Sequence, residues 1–177
     1  MNMAYFFNRI RQSVFGGKMT QAQVEGVEKI INYRASKWPK MPDDELAYLL
    51  ATVTHETGHK MQPVREAGGE RYLKTKKYYP WVGEGLVQVT WKENAIKFGA
   101  KKPGDLMTWQ VALRAAFEGM IKGMFTGKKL ADYIGNGRVN YVGARRIING
   151  TDKAKLIAGY ADAYRDAFKQ ANEQPAR

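Results

Sequence analysis

The sequence predicts a mostly helical α+β domain, and three observations predict it. Apolar residues recur at helical spacing in five separate stretches along the chain. Between Met61 and Trp91 that period stops, and Pro63, Gly68-Gly69 and Gly83-Glu84-Gly85 punctuate a segment of strand-like composition. With 177 residues, 44% of them hydrophobic and 12% aromatic, the chain can bury one substantial core, so a single domain over residues 1–177 is expected. No 20–50-residue repeat, low-complexity segment or linker divides it.

Each element has its own signal. Phe6, Phe7, Ile10 and Val14 form one face of an N-terminal helix; core packing is its expected use and membrane attachment the alternative. Thr20-x-x-Gln23 has the form of a capping box, and Val24, Val27 and Ile31 line the helix it opens, expected to end near Arg34. Pro42-Asp43-Asp44 starts a central helix in which Leu46, Leu49, Leu50 and Val53 face one side; it is expected to reach His59. Leu73–Pro80 and Leu86–Trp91 are expected to pair as a small antiparallel sheet. Trp109, Leu113, Ala116, Phe117, Met120 and Met124 mark a long buried helix punctuated by Gly127, followed by a short turn of helix over 130–134. A short helix over 139–148 should stop at Asn149-Gly150. Thr151 is placed to cap a last helix whose inner face is Ala154, Ile157, Ala161, Tyr164 and Phe168.

Charge and composition narrow the function classes. The net charge is +12, spread from Arg9 to Arg177, which favours polyanionic partners such as nucleic acid, anionic lipid or an acidic cell wall. No common nucleic-acid-binding module is recognisable. No apolar run approaches the ~20 residues of a membrane span. Asn8, Arg9, Arg11 and Gln12 interrupt any signal-type segment at the N-terminus. The absence of cysteine excludes disulfides and thiolate metal sites and is compatible with cytosolic synthesis.

Chemistry concentrates at His55-Glu56-Thr57-Gly58-His59, where Glu56 rides about one turn beyond the last apolar contact of the central helix. Three readings compete. His55 and His59 fit H-E-x-x-H, in which two imidazoles grip zinc and Glu activates water; a third ligand would have to be carboxylate. Alternatively, Glu56 is one of two carboxylates that hydrolyse a glycoside, one protonating the leaving oxygen and the other activating water. Its partner could be Glu66, Glu70 or Glu84. A helix continuing for ten residues would carry Glu66 ~15 Å along its axis. An inverting pair needs roughly 6.5–9.5 Å, so the chain would have to turn back after residue 60. Thirdly, Tyr78, Tyr79, Trp81 and Trp91 could stack on sugar rings in a wall-binding module without chemistry.

Several blocks together carry a family resemblance. His55-Glu56-Thr57-Gly58 closing an apolar helix resembles the acid-bearing motif of glycoside hydrolase family 19. The segment Tyr78-Tyr79-Pro80-Trp81-Val82-Gly83-Glu84-Gly85-Leu86-Val87-Gln88-Val89-Thr90-Trp91 is similar to its Tyr-rich, Gly-x-Gly, Gln-x-Ser/Thr signature. Asn94 follows where the family often carries Asn, and Arg145-Arg146-Ile147-Ile148-Asn149-Gly150 resembles its Ile-Asn-Gly segment. The blocks occur in family order over residues 20–168, and the compact, cysteine-free form is more similar to phage and prophage lytic members than to plant chitinases. Glu84 stands inside Gly-x-Gly, where the family commonly has a basic residue.

The resemblance implies a lysozyme-like fold, with helical parts flanking a cleft and a small antiparallel sheet beside it. It implies inverting hydrolysis of a β-1,4 bond between N-acetylated sugars, with no metal and no cofactor. Glu56 would be the general acid, Glu66 the general base, and Thr90 a holder of the attacking water. Tyr79, Gln88, Asn94 and Asn149 would bind substrate. The expected protein is a monomeric peptidoglycan-degrading endolysin, made in the bacterial cytoplasm without a signal peptide and acting on the wall after release. A chitinase with the same residues is the near alternative; a zinc peptidase and a non-catalytic wall binder are the others. Nucleic acid and a stable membrane anchor are not expected.

Overall fold

The computed structural model of the protein describes residues 1–176. Its helices are α1 (Met3–Ser13), α2 (Gln21–Lys37), α3 (Asp43–Glu56), α4 (Gly69–Leu73), α5 (Lys92–Lys97), α6 (Trp109–Lys122), α7 (Leu130–Tyr133), α8 (Tyr141–Ala144) and α9 (Ala154–Glu173). Two antiparallel ladders of two residues per strand join them. β1 (Val64–Arg65) pairs with β2 (Glu84–Gly85), Val64 opposite Gly85; β3 (Ile134–Gly135) pairs with β4 (Arg138–Val139), Ile134 opposite Val139. The architecture is therefore α+β and mostly helical.

α3 is the centre. Asp43, Asp44 and Glu45 occupy its first turn, where negative charge complements the helix dipole. Every residue from Leu46 to Thr54 is buried, so all sides of the helix are covered rather than one. Its chief partner is α9, which also packs on α1 and α8. Thr54, fully buried, donates its hydroxyl to Leu50 O (2.7 Å) or shares it with the fully buried Tyr164 hydroxyl (2.8 Å). All four apolar residues of the α1 face are buried, and Phe6 stacks on Phe168 with ring centroids 4.6 Å apart. The face is thus part of the core. No helix among the described residues is long and apolar enough to cross a membrane.

Several boundaries match their signals. The Thr20 hydroxyl accepts Gln23 N–H, and the Gln23 side chain accepts Thr20 N–H in return, completing the capping box. α7 follows closely the turn expected over 130–134. Others differ. α2 continues to Lys37, past Arg34. α6 stops at Lys122 because Gly123, four residues before Gly127, already takes the left-handed conformation that ends a helix (φ 72°). α9 begins after Lys153, itself left-handed (φ 58°), and the side chain of Thr151 makes no cap bond; only its carbonyl accepts Ala154 N–H. The helix expected over 139–148 is broken into β4, α8 and a 3₁₀ turn (Arg145–Ile147). Asn140 separates the first two: its N–H bonds Tyr133 O to close the hairpin, and its side chain accepts Gly143 N–H to restart the helix.

The strands expected at Leu73–Pro80 and Leu86–Trp91 are absent. Leu73 instead ends α4 as its one buried residue. Positive φ at Gly85, Gln88 and Trp91 turns the second run out of extended geometry and leaves a single bridge between Glu84 and Val89. The ladder forms instead between β1 and β2, which fastens the chain just after α3 to the Gly83–Gly85 corner.

The return from α3 is held against α2. The Gly26 Cα abuts the Met61 carbonyl so closely that a Cβ there would stand 1.8 Å from the oxygen. Backbone on one side and a helix on the other leave no flexible group to yield. Gly26→Ala is therefore expected to lower stability by about 1–3 kcal/mol, the usual range for overpacking. Urea denaturation of the variant and the parent checks this; an unchanged midpoint would mean the contact is loose.

Candidate active site

Glu56 is the last residue of α3. Thr57 ends the helix: its hydroxyl donates to Val53 O (2.7 Å) and accepts Met61 N–H (3.1 Å). Gly58, His59 and Met61 then all adopt positive φ, and the chain reverses within a few residues. The helix thus ends before His59, so the two histidines do not share the i, i+4 face on which a zinc pair depends. The His59 ring lies edge-on between Phe15 and Tyr160, with centroids 5.9 and 5.2 Å away. Burial, then the neighbouring His55, pushes its pKa down. Among the described residues, no three or more His, Cys, Asp or Glu are grouped to hold a metal.

The Glu56 side chain is only 17% exposed, and Arg145 Nη1 lies 3.2 Å from its Oε1. Arg145 is itself almost fully buried and donates Nε to Asp152 O (2.7 Å). It comes from the 3₁₀ turn after α8, and its carbonyl accepts the N–H groups of Ile148 and Asn149. The turn that steadies the Glu56 carboxylate therefore also positions Asn149.

The three candidate second carboxylates have three different environments. Glu66 Oε1 accepts the Tyr78 hydroxyl (2.7 Å) and Oε2 accepts Gly83 N–H (3.0 Å). That bond to the carboxylate pushes the Tyr78 phenol up to about 12. Glu70 lies at the surface, bonded by Arg65 and the Tyr79 hydroxyl; those bonds, Arg65 first, hold it below the usual carboxylate range. Glu84 is buried in β2 and accepts Gly104 N–H at 3.0 Å. Burial pushes its pKa up.

A cleft of about 360 Å³ gathers Gln88, Thr90, Trp91, Asn94 and Asn149. Gln88 is fixed by donation from Nε2 to Val64 O (2.8 Å), and Asn94 by donation to Thr90 O (2.9 Å). The cleft reaches Glu66 through Gly83. A Cβ built on Gly83 would lie 3.1 Å from Gln88 Oε1, 3.3 Å from Thr90 Oγ1 and 3.4 Å from Glu66 Oε2. Three oxygens thus converge on a space that only the lack of a side chain leaves open. Neither Glu56 nor Glu66 lines the cleft itself: Asn149 N–H bonds the carbonyl of Arg145, whose side chain pairs with Glu56, and Thr90 shares the space over Gly83 with Glu66.

Of the residues singled out from the sequence, Gln88, Thr90, Asn94 and Asn149 meet in this cleft, whereas Glu56 and Glu66 are not among its lining residues. Tyr79 does not line it; its hydroxyl is on Glu70. Sequence reasoning assigned no role to Arg145 or to the Tyr78 hydroxyl. The Arg-Arg-Ile-Ile-Asn-Gly block held the only hint of the former, and the Tyr78-Tyr79 pair of the latter. No protein-family model matches the chain, and no curated protein matches it.

Glu84 makes a pH-dependent contribution of known sign. Its folded pKa lies above the unfolded value because burial disfavours the anion; Asp105 adds to this, while Gly104 N–H and Arg65 oppose it. Wild-type stability from this group is therefore full below the unfolded glutamate pKa and declines as pH rises through the folded one. Glu84→Gln keeps an acceptor for Gly104 and removes the titration. Its stability relative to wild type should improve between about pH 4, near the unfolded pKa, and neutrality; urea midpoints at both pH values measure this, and a pH-independent difference would refute it.

Proposed function

We propose that the protein is a glycoside hydrolase that cleaves β-1,4 bonds between N-acetylated sugars of the bacterial cell wall by inversion, on a lysozyme-like fold. The observation that carries the reading is the convergence of Glu66, Thr90 and Gln88 oxygens over Gly83, at the edge of a cleft lined by side-chain amides. Inversion needs a water held by a carboxylate on the face opposite the acid. Thr90 can hold such a water while Glu66 Oε2 takes its proton. Tyr78 and Gly83 N–H fix the Glu66 carboxylate in the required orientation.

Glu56 is the general acid in this scheme. Arg145 holds its carboxyl at the exit of α3 and steadies the anion left after proton donation to the leaving oxygen. Gln88, Asn94 and Asn149 offer amide donors and acceptors suited to N-acetyl and hydroxyl groups. Substrate distortion aside, the chemistry needs only these two carboxylates and water. Peptidoglycan is the favoured substrate and chitin the alternative, since both carry the N-acetylglucosamine unit. The protein acts as a monomer on the wall, reaching it after release from the bacterial cytoplasm in which it is made.

Two sets of measurements test the assignment. Glu56→Gln keeps an acceptor for Arg145 but has no proton to give, so reducing-end release from purified peptidoglycan should fall at least about 10²-fold, the low end for acid–base catalysis. Glu66→Gln should lose as much, whereas Glu70→Gln and Glu84→Gln should retain most activity. Full activity in a folded Glu56→Gln protein would overturn the scheme. Mass spectrometry of the products identifies the sugar at the new reducing end and separates a glycosidase from a peptidase. Activity should also survive EDTA, because no step uses a Lewis acid; loss restored by zinc would return His55 and His59 to consideration.

A further inference from the structure

The positive charge is not evenly used. Residues 60–104 hold ten Lys and Arg against four Glu, and so carry half of the chain's net charge of +12 in about a quarter of its length. Within this region Arg71, Lys74, Lys76 and Lys77 follow one another through α4 and its exit, and none forms an ion pair among the described residues. Arg71, Lys74 and Lys77 are exposed. Tyr72, 48% exposed, lies among them with Lys76 Nζ 4.3 Å from its ring centroid.

This flank runs into the cleft. Lys77 immediately precedes Tyr78, whose hydroxyl bonds Glu66 and whose ring meets Trp91 edge-on at 5.4 Å. Trp91, 45% exposed, lines the cleft, and the exposed Lys92 follows it. Unpaired exposed cations beside a groove create a field that concentrates an anionic chain there. Two exposed aromatic rings offer apolar faces for sugar rings between the charges. A neutral polysaccharide would draw nothing from these cations, while a glycan with carboxylate-ended branches would pair with them along its length.

We propose that Lys74, Lys76, Lys77 and Lys92 form an extension of the cleft that binds the carboxylates of an acidic glycan strand. The preferred substrate is then an anionic wall polymer and not chitin. This rests on the glycosidase reading of the cleft.

The test uses the full chain with Glu56→Gln, so that polymer is not consumed, and compares it with the same chain carrying Lys74→Gln, Lys76→Gln and Lys77→Gln. Co-sedimentation is measured with peptidoglycan stripped of attached phosphate polymers, with the same material after amidation of its carboxylates, and with chitin. On stripped peptidoglycan the triple variant should bind at least about tenfold more weakly, the low end of what focused charge contributes to local concentration. Amidation and added salt should each produce a similar loss, and chitin binding should be the same for both proteins. Equal affinity of the two proteins for stripped peptidoglycan, or no effect of amidation, overturns the proposal. So does binding that vanishes once phosphate polymers are stripped, because the anion recognised would then be a phosphodiester. Reducing-end release by the wild-type chain is read separately: if neither polymer is cleaved, the glycosidase reading fails, while the binding comparison still decides whether the lysines hold carboxylates.

Discussion

Burial of α3 on all sides is the constraint on which the rest of the structure depends. A helix covered from Leu46 to Thr54 cannot sit on a surface; other elements must be built around it. α9 supplies the longest of these surfaces, and α1 closes over α9 through the Phe6–Phe168 stack. Such an aromatic pair adds about 0.5–1.5 kcal/mol beyond its buried area. Within this apolar surround the buried hydrogen bond between Thr54 and Tyr164 leaves neither hydroxyl orphaned and ties α3 to α9. The end of α3 is thereby located to within a side chain, and Glu56 with it.

The two carboxylates proposed as acid and base are held by opposite means. Glu56 is paired with a buried cation that reaches it from a residue 89 positions away in the chain. Glu66 is held by neutral donors, the Tyr78 phenol and the backbone N–H of Gly83 at the corner that pairs with β1. A cation at one site and neutral donors at the other give the two groups different electrostatic surroundings.

Much of this was legible in the sequence, and the exceptions have physical causes. The buried faces of α1, α3, α6 and α9 follow directly from apolar residues at helical spacing, and the capping box of α2 from Thr20 and Gln23. These signals are local, so a single sequence displays them. The sheet was misplaced because strands of two residues have no period to detect, while Leu73–Pro80 and Leu86–Trp91 have strand composition without strand dihedrals. Gln88 and Trp91 adopt positive φ although neither residue type announces it. Arg145 escaped assignment for another reason: its partner is distant in sequence, and its value lies in burial, which composition does not report. The polar cleft residues stand in motif order in the sequence, but the environments that separate Glu66 from Glu70 and Glu84 exist only once Gly83 and Tyr78, Tyr79, and Gly104 have been brought to them in turn.

The chain between the two carboxylates has almost no regular structure, yet it is tied to α2 at several points. Gln23 Nε2 donates to His59 O, Gln62 Nε2 donates to Ala22 O, and Gly26 sits against Met61 O. The same Gln23 completes the cap of α2, so the start of that helix and the loop beyond α3 share one side chain. A loop anchored in this way has already lost its conformational freedom when the protein folds. Any ligand of the neighbouring cleft would therefore lose none of its contact energy to ordering this segment.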